Sequence, residues 1–364
     1  MKFSLSSLFV SILMVSILTL ILSLLMRNGK LYKYLRTDFF TFLMAVIVLR
    51  LCLPFELPFT LSVKAAFPMN FISYFVWREL KPGFNIETLL IIIWFSGTVL
   101  FLIRYLYKTK SFNLKIETII KMSEPYVSDR HNDDIKKYNI SIYTGSLIEC
   151  PMTVKDTVIL IPASLINDDN FDNILKHEIQ HVKNHDLFLK KAINIICCVF
   201  WWFIPVYIIR KYFDILLEMR VDNEVTINKD IGEYARSLID VKKKILTDKM
   251  DKGLAATMIS EDSRTLEYRI KYLFAGNFKK RTSTLLLMIV LLLPFVTNAV
   301  IFEPAFPSPY DNEPNVYDEN EIKEKAYIIR HKNGTYGLMI DGNYAQLENI
   351  EAEPFCHLRV VYED

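Results

Sequence analysis

The sequence predicts a predominantly α-helical polytopic membrane protein, with a polar helical domain between its third and fourth spans and a small β-rich tail. Of the 364 residues, 52% are hydrophobic although 23% are charged, and the mean hydropathy is positive. The apolar residues are concentrated in long runs, and clusters of Lys and Arg flank these runs. Such segregation is typical of membrane proteins and unusual for a soluble enzyme.

Four apolar runs are candidate membrane spans, each of which needs about 20 residues. They cover residues 3–26, 39–58, 88–102 with their flanks, and 284–301. The first run is longer than the core of a signal peptide and no cleavage motif follows it, so we interpret it as a span. Arg50 lies near the outer end of the second span, from where its side chain can reach the headgroups.

Basic clusters orient these spans by the positive-inside rule. The clusters follow the first and third spans and precede the fourth, at residues 27–36, 104–115 and 279–281. Both the N-terminus and the acidic tail are therefore expected outside the cell. The predicted order is three spans within residues 1–110 around an external loop at 59–87, a cytoplasmic domain at 111–283, a fourth span at 284–301 and an external tail at 302–364.

A metal-binding motif stands in the cytoplasmic segment. Residues 177–181 have the pattern HExxH, and no Gly or Pro interrupts their surroundings, so a helix is expected. Positions four apart share a helix face, and His177 and His181 can therefore bind one zinc ion. Glu178 can act as the base on a water molecule at the metal. The motif predicts a zinc peptidase with one zinc ion per chain.

The third ligand is expected on a second helix downstream. The metzincin pattern does not fit, because it requires a Gly and a third His just after the motif. Glu218 is the candidate ligand, and Asp222 on the same face is a candidate hydrogen-bond partner of a ligating His; the alternative is a solvated helix face. His185, on a continued first helix, either lines the cleft or lies on the surface. Asp186 is expected to cap or to form a salt bridge near the site.

An apolar stretch at residues 192–209 separates the two parts of this site. A straight helix over this stretch would be about 27 Å long and would place His181 and Glu218 on opposite sides of the bilayer. Two ligands of one zinc ion lie within a few ångström of each other, so the stretch cannot be a single span. We therefore predict a helical hairpin that reverses near Pro205, and either dips into the inner leaflet or packs on the spans. Residues 157–162 predict a strand, either an edge strand that pairs with substrate or ordinary sheet core.

These motifs together resemble those of the BlaR1/MecR1-type antirepressor zinc metallopeptidases, the M56 peptidases. The resemblance covers roughly residues 1–300 and is carried by residues 49–58, 158–162, 174–186, 200–205, 217–222 and 268–270. It implies a gluzincin-like domain in which His177, His181 and Glu218 bind zinc and Glu178 is catalytic. Val221 stands where the family often has Cys, a departure that touches no ligand.

The resemblance also implies a signalling role. In the resembled proteins an external penicillin-binding domain senses β-lactam, and proteolysis inside the cell, including self-cleavage, leads to inactivation of a winged-helix repressor. The tail here is far too short for such a domain, and Ser308, its only Ser, begins no SxxK motif. We therefore expect an unknown external ligand. Residues 304–314 predict a Pro-rich linker, and the rest of the tail predicts a small β-meander.

The leading hypothesis is a zinc endopeptidase of a bacterial plasma membrane that senses an external cue and relieves repression. It would do so by self-cleavage, expected near residues 271–283, or by direct or indirect inactivation of the repressor. The alternatives are a quality-control zinc peptidase of the CAAX-processing kind and a zinc-bound receptor scaffold without turnover, against which the intact Glu178 argues. The lipid bilayer is an expected partner, direct nucleic-acid binding is not expected, and a homodimer is left open. The five cysteines have no disulfide-framework spacing and are expected as free thiols.

Overall fold

Helices form most of the computed structural model of this protein. It describes residues 4–56, 58–128, 131–227, 229–251, 257–275, 284–305, 317, 319–347, 349–351 and 354–363. The basic cluster at 279–281, most of the linker at 304–314 and most of the expected self-processing region at 271–283 lie outside the described residues. The described helices are α1 (Leu5–Arg27), α2 (Thr37–Cys52), α3 (Phe71–Trp77), α4 (Ile86–Lys121), α5 (Asn132–Lys137), α6 (Phe171–Lys183), α7 (Asp186–Val199), α8 (Pro205–Thr226), α9 (Ile231–Asp251), α10 (Thr257–Phe274), α11 (Thr284–Val296) and α12 (Glu319–Lys325).

The strands are short and lie mainly between α4 and α6 and after α12. They are β1 (Leu61–Lys64), β2 (Glu79–Lys81), β3 (Phe84–Asn85), β4 (Glu124–Pro125), β5 (Ser141–Gly145), β6 (Met152–Val154), β7 (Val158–Pro162), β8 (Val300–Glu303), β9 (Tyr327–Arg330), β10 (Tyr336–Ile340), β11 (Asn343–Leu347) and β12 (Arg359–Tyr362). The chain divides into two compact units, residues 1–303 and residues 304–364. All five cysteines are free thiols, as expected.

Two of the described helices, α1 and α4, are long and apolar enough to cross a membrane. The second and fourth predicted spans contain shorter helices, α2 with 16 residues and α11 with 13. Helix α2 ends at Cys52 because Pro54 disfavours helical backbone at the residue before it, and Leu53 is no longer helical. The Arg50 side chain is buried, and its guanidinium donates to the main-chain oxygen of Thr297 at 3.3 Å.

Helix α4 is longer than the third predicted span. Its 36 residues extend over about 54 Å, well beyond the ~30 Å of a bilayer core. The helix continues through the basic cluster because no Gly or Pro follows Gly97 before Lys121. The boundary expected at residue 110 therefore falls inside a helix.

The apolar stretch at 192–209 forms two helices that are joined by a reversal. Helix α7 ends at Val199, and Pro205 is the first residue of α8, where its missing N–H has no partner to lose. The reversal packs on α4, where Trp94 Nε1 donates to the main-chain oxygen of Val199 at 2.9 Å. A Cβ atom at Gly97 would lie 2.4 Å from Trp201, so the close approach requires glycine.

A four-stranded sheet adjoins α6, with strand order β4-β5-β7-β6. The strand expected at 157–162 is present as β7, which pairs parallel with β5 and antiparallel with β6. It is sheet core, and its residues Ile159 and Ile161 are buried against α6. Among the described strands, β6 lies at the edge on the α6 side of the site, so the edge-strand interpretation applies to β6 and not to β7.

The unit that comprises residues 304–364 contains the expected β-meander. Strands β9, β10 and β11 pair antiparallel in sequence, and β12 adds parallel to β9. The turn between β10 and β11 consists of Asp341 and Gly342, both with positive φ, which is the backbone that a two-residue hairpin turn requires. In the larger unit, β1 of the predicted external loop pairs parallel with β8, which follows α11.

Candidate metal centre

Helix α6 presents two histidines to a cleft while its opposite face is buried. Phe171, Leu175, Ile179 and Val182 recur at helical spacing and pack in one hydrophobic cluster with strands of the sheet. The histidines at 177 and 181 point away from that cluster, on a shared face. Their Nε2 atoms lie 3.2 Å apart, and both side chains are buried.

Glu218 reaches these histidines from α8. Its Oε2 lies 3.4 Å from His177 Nε2, and its Oε1 lies 3.6 Å from His181 Nε2. One ligand atom from each of the three residues falls within 4.8 Å of the others. The reversal between α7 and α8 makes this convergence possible, because α8 returns along α6 after α7 has led the chain away.

The donor set fits a zinc ion. Two imidazole nitrogens and one carboxylate oxygen are ligands that zinc takes at catalytic sites, which keep a further position open. Each imidazole also has a hydrogen-bond partner at its other ring nitrogen, so that both Nε2 atoms face Glu218 and are available to a metal. His181 Nδ1 donates to Asp186 Oδ2 at 2.7 Å, and His177 Nδ1 donates to the hydroxyl of Tyr234 at 3.1 Å. Such outer partners fix the ring orientation that metal binding requires.

The helix was expected to continue through His185 and Asp186, and that prediction is wrong. Helix α6 ends at Lys183, and His185 adopts a left-handed conformation with φ 53° before α7 begins. This break turns the chain, so that the buried Asp186 can accept the Nδ1 proton of His181. His185 itself is exposed and does not line the cleft.

Asp222 contacts the centre by a different route from the one expected. Its Oδ1 is 3.5 Å from His177 Nδ1, and the hydroxyl of Tyr234 stands between them, donating to Asp222 Oδ1 at 2.8 Å. Arg269 of α10 completes the arrangement: Nε and Nη2 donate to the two Asp222 oxygens, each at 2.7 Å, and Nη1 lies 3.2 Å from Glu218 Oε2. One guanidinium thus contacts both Glu218 and Asp222.

The sequence reasoning missed Tyr234, Arg269 and Arg220. Arg220 Nη2 donates to Asp186 Oδ1 and so supports the partner of His181. Nothing in local periodicity distinguishes Tyr234 from other helix residues. Arg220 and Arg269 lay within stretches that carried the family resemblance, residues 217–222 and 268–270, and membership of those stretches was the available signal.

The carboxylates at the centre favour positive charge on or beside the imidazoles. Burial alone would raise the pKa of Glu218, but His181, His177 and Arg269 together hold it well below its usual value. Burial alone would lower the pKa of His181, whereas Glu218, Asp186 and Glu178 raise it to about 10. Either a proton or a metal ion therefore neutralises the carboxylates, and metal uptake has to displace that proton.

Glu178 lies about 100° round α6 from His177, as one residue of helix dictates, and its carboxylate faces the same cleft. The Thr153 hydroxyl, on β6, lies 2.9 Å from Glu178 Oε2. The cleft has a volume of about 840 Å³ and is lined by β6 and the segment before it, by α6 to α10, and by the cations Lys190, Arg210, Lys211 and Lys242. It is large enough for a peptide segment. Lys190 Nζ lies 3.6 Å from Glu218 Oε1.

The model of the BlaR1 peptidase M56 family matches residues 77–273 of this chain. The chain belongs to this family. The match contains every residue placed in the centre above, from Thr153 on β6 to Arg269 on α10. The M56 peptidases are membrane-associated metallopeptidases, in agreement with the apolar helices and the donor set.

The chain is similar in sequence to curated proteins named methicillin resistance mecR1 protein, from Staphylococcus aureus, including strain Mu50, and from Staphylococcus epidermidis. Each is 27% identical over 202 residues, which cover 52% of this chain and 34% of the relative. The matched region therefore spans about a third of the length of these relatives. The predicted resemblance to the BlaR1/MecR1 type is confirmed.

Proposed function

We propose that this M56 protein is a zinc endopeptidase of a bacterial plasma membrane, which converts an external signal into proteolysis at the cytoplasmic face. One observation carries the proposal. His177, His181 and Glu218 converge within 4.8 Å in an open cleft, with the carboxylate of Glu178 beside them. The first three residues would hold one zinc ion per chain and leave Glu178 free for proton transfer.

Each residue has a separate task in peptide hydrolysis. When bound, zinc polarises the scissile carbonyl and acidifies a water molecule. Glu178 takes the proton from the attacking water and returns it to the leaving amine. Asp186 and Tyr234 hold the two imidazoles in one tautomer through their Nδ1 protons, and Arg269 holds Glu218 in position.

The substrate is proposed to bind as an extended strand along β6. Residues 150–153 line the cleft, and β6 is the described edge of its sheet on that side. An edge strand offers unpaired main-chain N–H and C=O groups, which give affinity for a peptide without dictating its sequence. A scaffold without turnover would need neither this edge nor a carboxylate at position 178.

The signalling part of the proposal rests on the family and on the order of the chain. In the chain, α1, α2 and α4 precede the residues of the candidate centre and α11 follows them, and a separate β unit comes after α11. Pairing of β1 with β8 supports the assignment of loop 59–87 and residues after α11 to the same, external side. A winged-helix repressor is the proposed direct or indirect target, and the β unit is the proposed receptor for the external ligand.

The decisive experiment compares the wild type with Glu178→Gln in bacterial membranes, with a candidate winged-helix repressor co-expressed. Glu178→Gln should keep one zinc per chain and lose cleavage of the chain or the repressor by about 10²–10⁴-fold, the contribution of general acid–base catalysis. Blotting detects the fragments, and atomic absorption measures zinc. Equal fragments from both proteins would overturn the peptidase function.

A matched pair of variants tests the metal assignment in the same membranes. His181→Asn should lose most of the zinc, because it removes a ligand. His185→Asn should keep both zinc and cleavage, because His185 is exposed and Asn tolerates its left-handed backbone. Undiminished zinc in His181→Asn would reject the ligand set.

A further inference from the structure

The general base of the proposed reaction is held by a side chain from outside its own helix. Thr153 stands in the middle of β6, and its Oγ1 lies 2.9 Å from Glu178 Oε2 and 3.2 Å from the main-chain oxygen of Glu178. A hydroxyl has one proton to donate. The shorter contact and the charged acceptor both favour donation to the carboxylate.

The Glu178 side chain requires a hydrogen-bond partner to fix its orientation. Asp186 and Tyr234 hold the two histidines of α6 through their Nδ1 atoms, and a bound metal would hold them through Nε2. Glu178 binds no metal in this arrangement, and its side chain has three rotatable bonds. Within the described part of the chain, the Thr153 hydroxyl donates a hydrogen bond to its carboxylate. Glu178 as a whole residue is only 7% exposed.

We propose that the Thr153 hydroxyl positions Glu178 for proton transfer, an inference that rests on the proposed peptidase function. Donation to Oε2 fixes the plane of the carboxylate and leaves Oε1 to receive the proton of the attacking water. Thr153 touches neither substrate nor metal through this hydroxyl, so it is a positioning residue. A displacement of about 1 Å in a reacting group can lower the rate by around 10²-fold, which sets the scale of the effect.

The position of Thr153 also joins the base to the substrate. Thr153 belongs to the edge strand along which an extended peptide is proposed to pair. A peptide that pairs with β6 orders the main chain of Thr153, and the side chain of the same residue orders Glu178. The placement of the substrate and that of the base thus both depend on one strand residue. A catalytic site is held precisely when its residues are supported by a rigid element such as a strand.

The experiment uses the full chain in detergent and four variants: Thr153→Val, Thr153→Ser, Thr153→Val with Glu178→Gln, and Thr144→Val. Thr144 lies on β5 of the same sheet, and its buried hydroxyl has no hydrogen-bond partner in the described structure. Thr144→Val therefore controls for the loss of a hydroxyl in this sheet. The substrate is a quenched fluorescent peptide selected from a random library on the wild-type protein.

We expect Thr153→Val to lower kcat by about 10–100-fold while KM and zinc content stay at wild-type values. Thr153→Ser, which restores the hydroxyl, should recover kcat to within a few-fold, and Thr144→Val should be unchanged. In the Glu178→Gln background, Thr153→Val should cause no further loss, because both act on the same step.

The outcomes distinguish failure of the proposed peptidase function from failure of the positioning role of Thr153. A wild type without zinc-dependent cleavage overturns the peptidase function and the positioning role together. A cleaving wild type whose kcat survives Thr153→Val, or a Thr153→Ser that falls as far as Thr153→Val, overturns the positioning role alone. Loss of zinc or of thermal stability in Thr153→Val, but not in Thr144→Val, assigns Thr153 a structural role and also overturns the proposal.

Discussion

Removal of Arg269 should destabilise the protein more than any other single change of a charged side chain around the metal centre. Its guanidinium makes two 2.7 Å hydrogen bonds to Asp222 and approaches Glu218 at 3.2 Å. Asp222 is fully buried, and the Arg269 side chain is only 14% exposed. Arg269→Gln would leave the buried carboxylate of Asp222 without its cation, whereas Glu218, whose side chain is 20% exposed, would keep Lys190 at 3.6 Å.

The size of the effect follows from these contacts. Breaking a buried ion pair by removing one partner costs about 3–5 kcal/mol. The hydroxyl of Tyr234 still donates to Asp222 at 2.8 Å, so the lower end, about 3 kcal/mol, is expected. For a unit of a few hundred residues, 1 kcal/mol shifts Tm by roughly 2–4 °C. Arg269→Gln should therefore lower Tm by roughly 6–12 °C in metal-free protein.

The assay is thermal unfolding in detergent, followed by reaction of the buried thiols of Cys197 and Cys198 with a fluorogenic dye. Arg264→Gln is the control, because Arg264 is exposed on the same helix and surface changes usually stay within about 0.5 kcal/mol. Zinc at 100 times its Kd adds about 2.7 kcal/mol and should offset most of the loss, since it supplies positive charge to Glu218. A metal-free Arg269→Gln protein that melts within 2 °C of the control would refute the reasoning.

Two further predictions concern pH and topology. The metal-free protein should lose stability as pH rises from 6.5 to about 10. The folded-state pKa of His181 is raised to about 10. The contribution of its protonated imidazole to the stability of the fold is therefore complete below the usual pKa of His and disappears as the imidazole deprotonates. Zinc-loaded protein should lack this decline, and Tm against pH with zinc or with chelator tests the difference. Single cysteines introduced near residues 140 and 235 should both react only from the cytoplasm, and a tag after residue 345 only from outside; labelling of 140 and 235 from opposite sides would mean that residues 192–209 span the bilayer.

The parts of the fold that sequence could predict are those governed by local chemistry. The apolar run at residues 3–26 exceeds the length that a bilayer core requires, and the β-meander follows from residues that favour tight turns. The ends of α2 and α4 could be estimated less well. Hydropathy does not report where a helix stops, whereas Pro54 ends α2 early and the absence of a breaker lets α4 continue past its basic residues.

In the candidate centre, too, the residues placed by local geometry could be predicted, and those placed by tertiary packing could not. His177 and His181 are four residues apart, so one helix places them together, and the distance argument from zinc geometry led to Glu218 across the predicted hairpin. The supporting residues depend on tertiary packing. Asp186 reaches His181 only because His185 adopts a left-handed backbone, and Thr153 and Arg269 come from a strand and a helix that no local pattern links to the motif.

The supporting residues act on different members of the centre, and this allows their contributions to be separated. Thr153 contacts Glu178, Tyr234 contacts His177, and Arg269 contacts Glu218. Loss of the first should lower kcat without changing zinc, because Glu178 binds no metal. Loss of the third should lower stability most, because it uncovers buried charge. A single defect common to both variants would indicate that the centre had collapsed as a unit, whereas two distinct defects would indicate that strand β6 and helix α10 fix the base and the ligand independently.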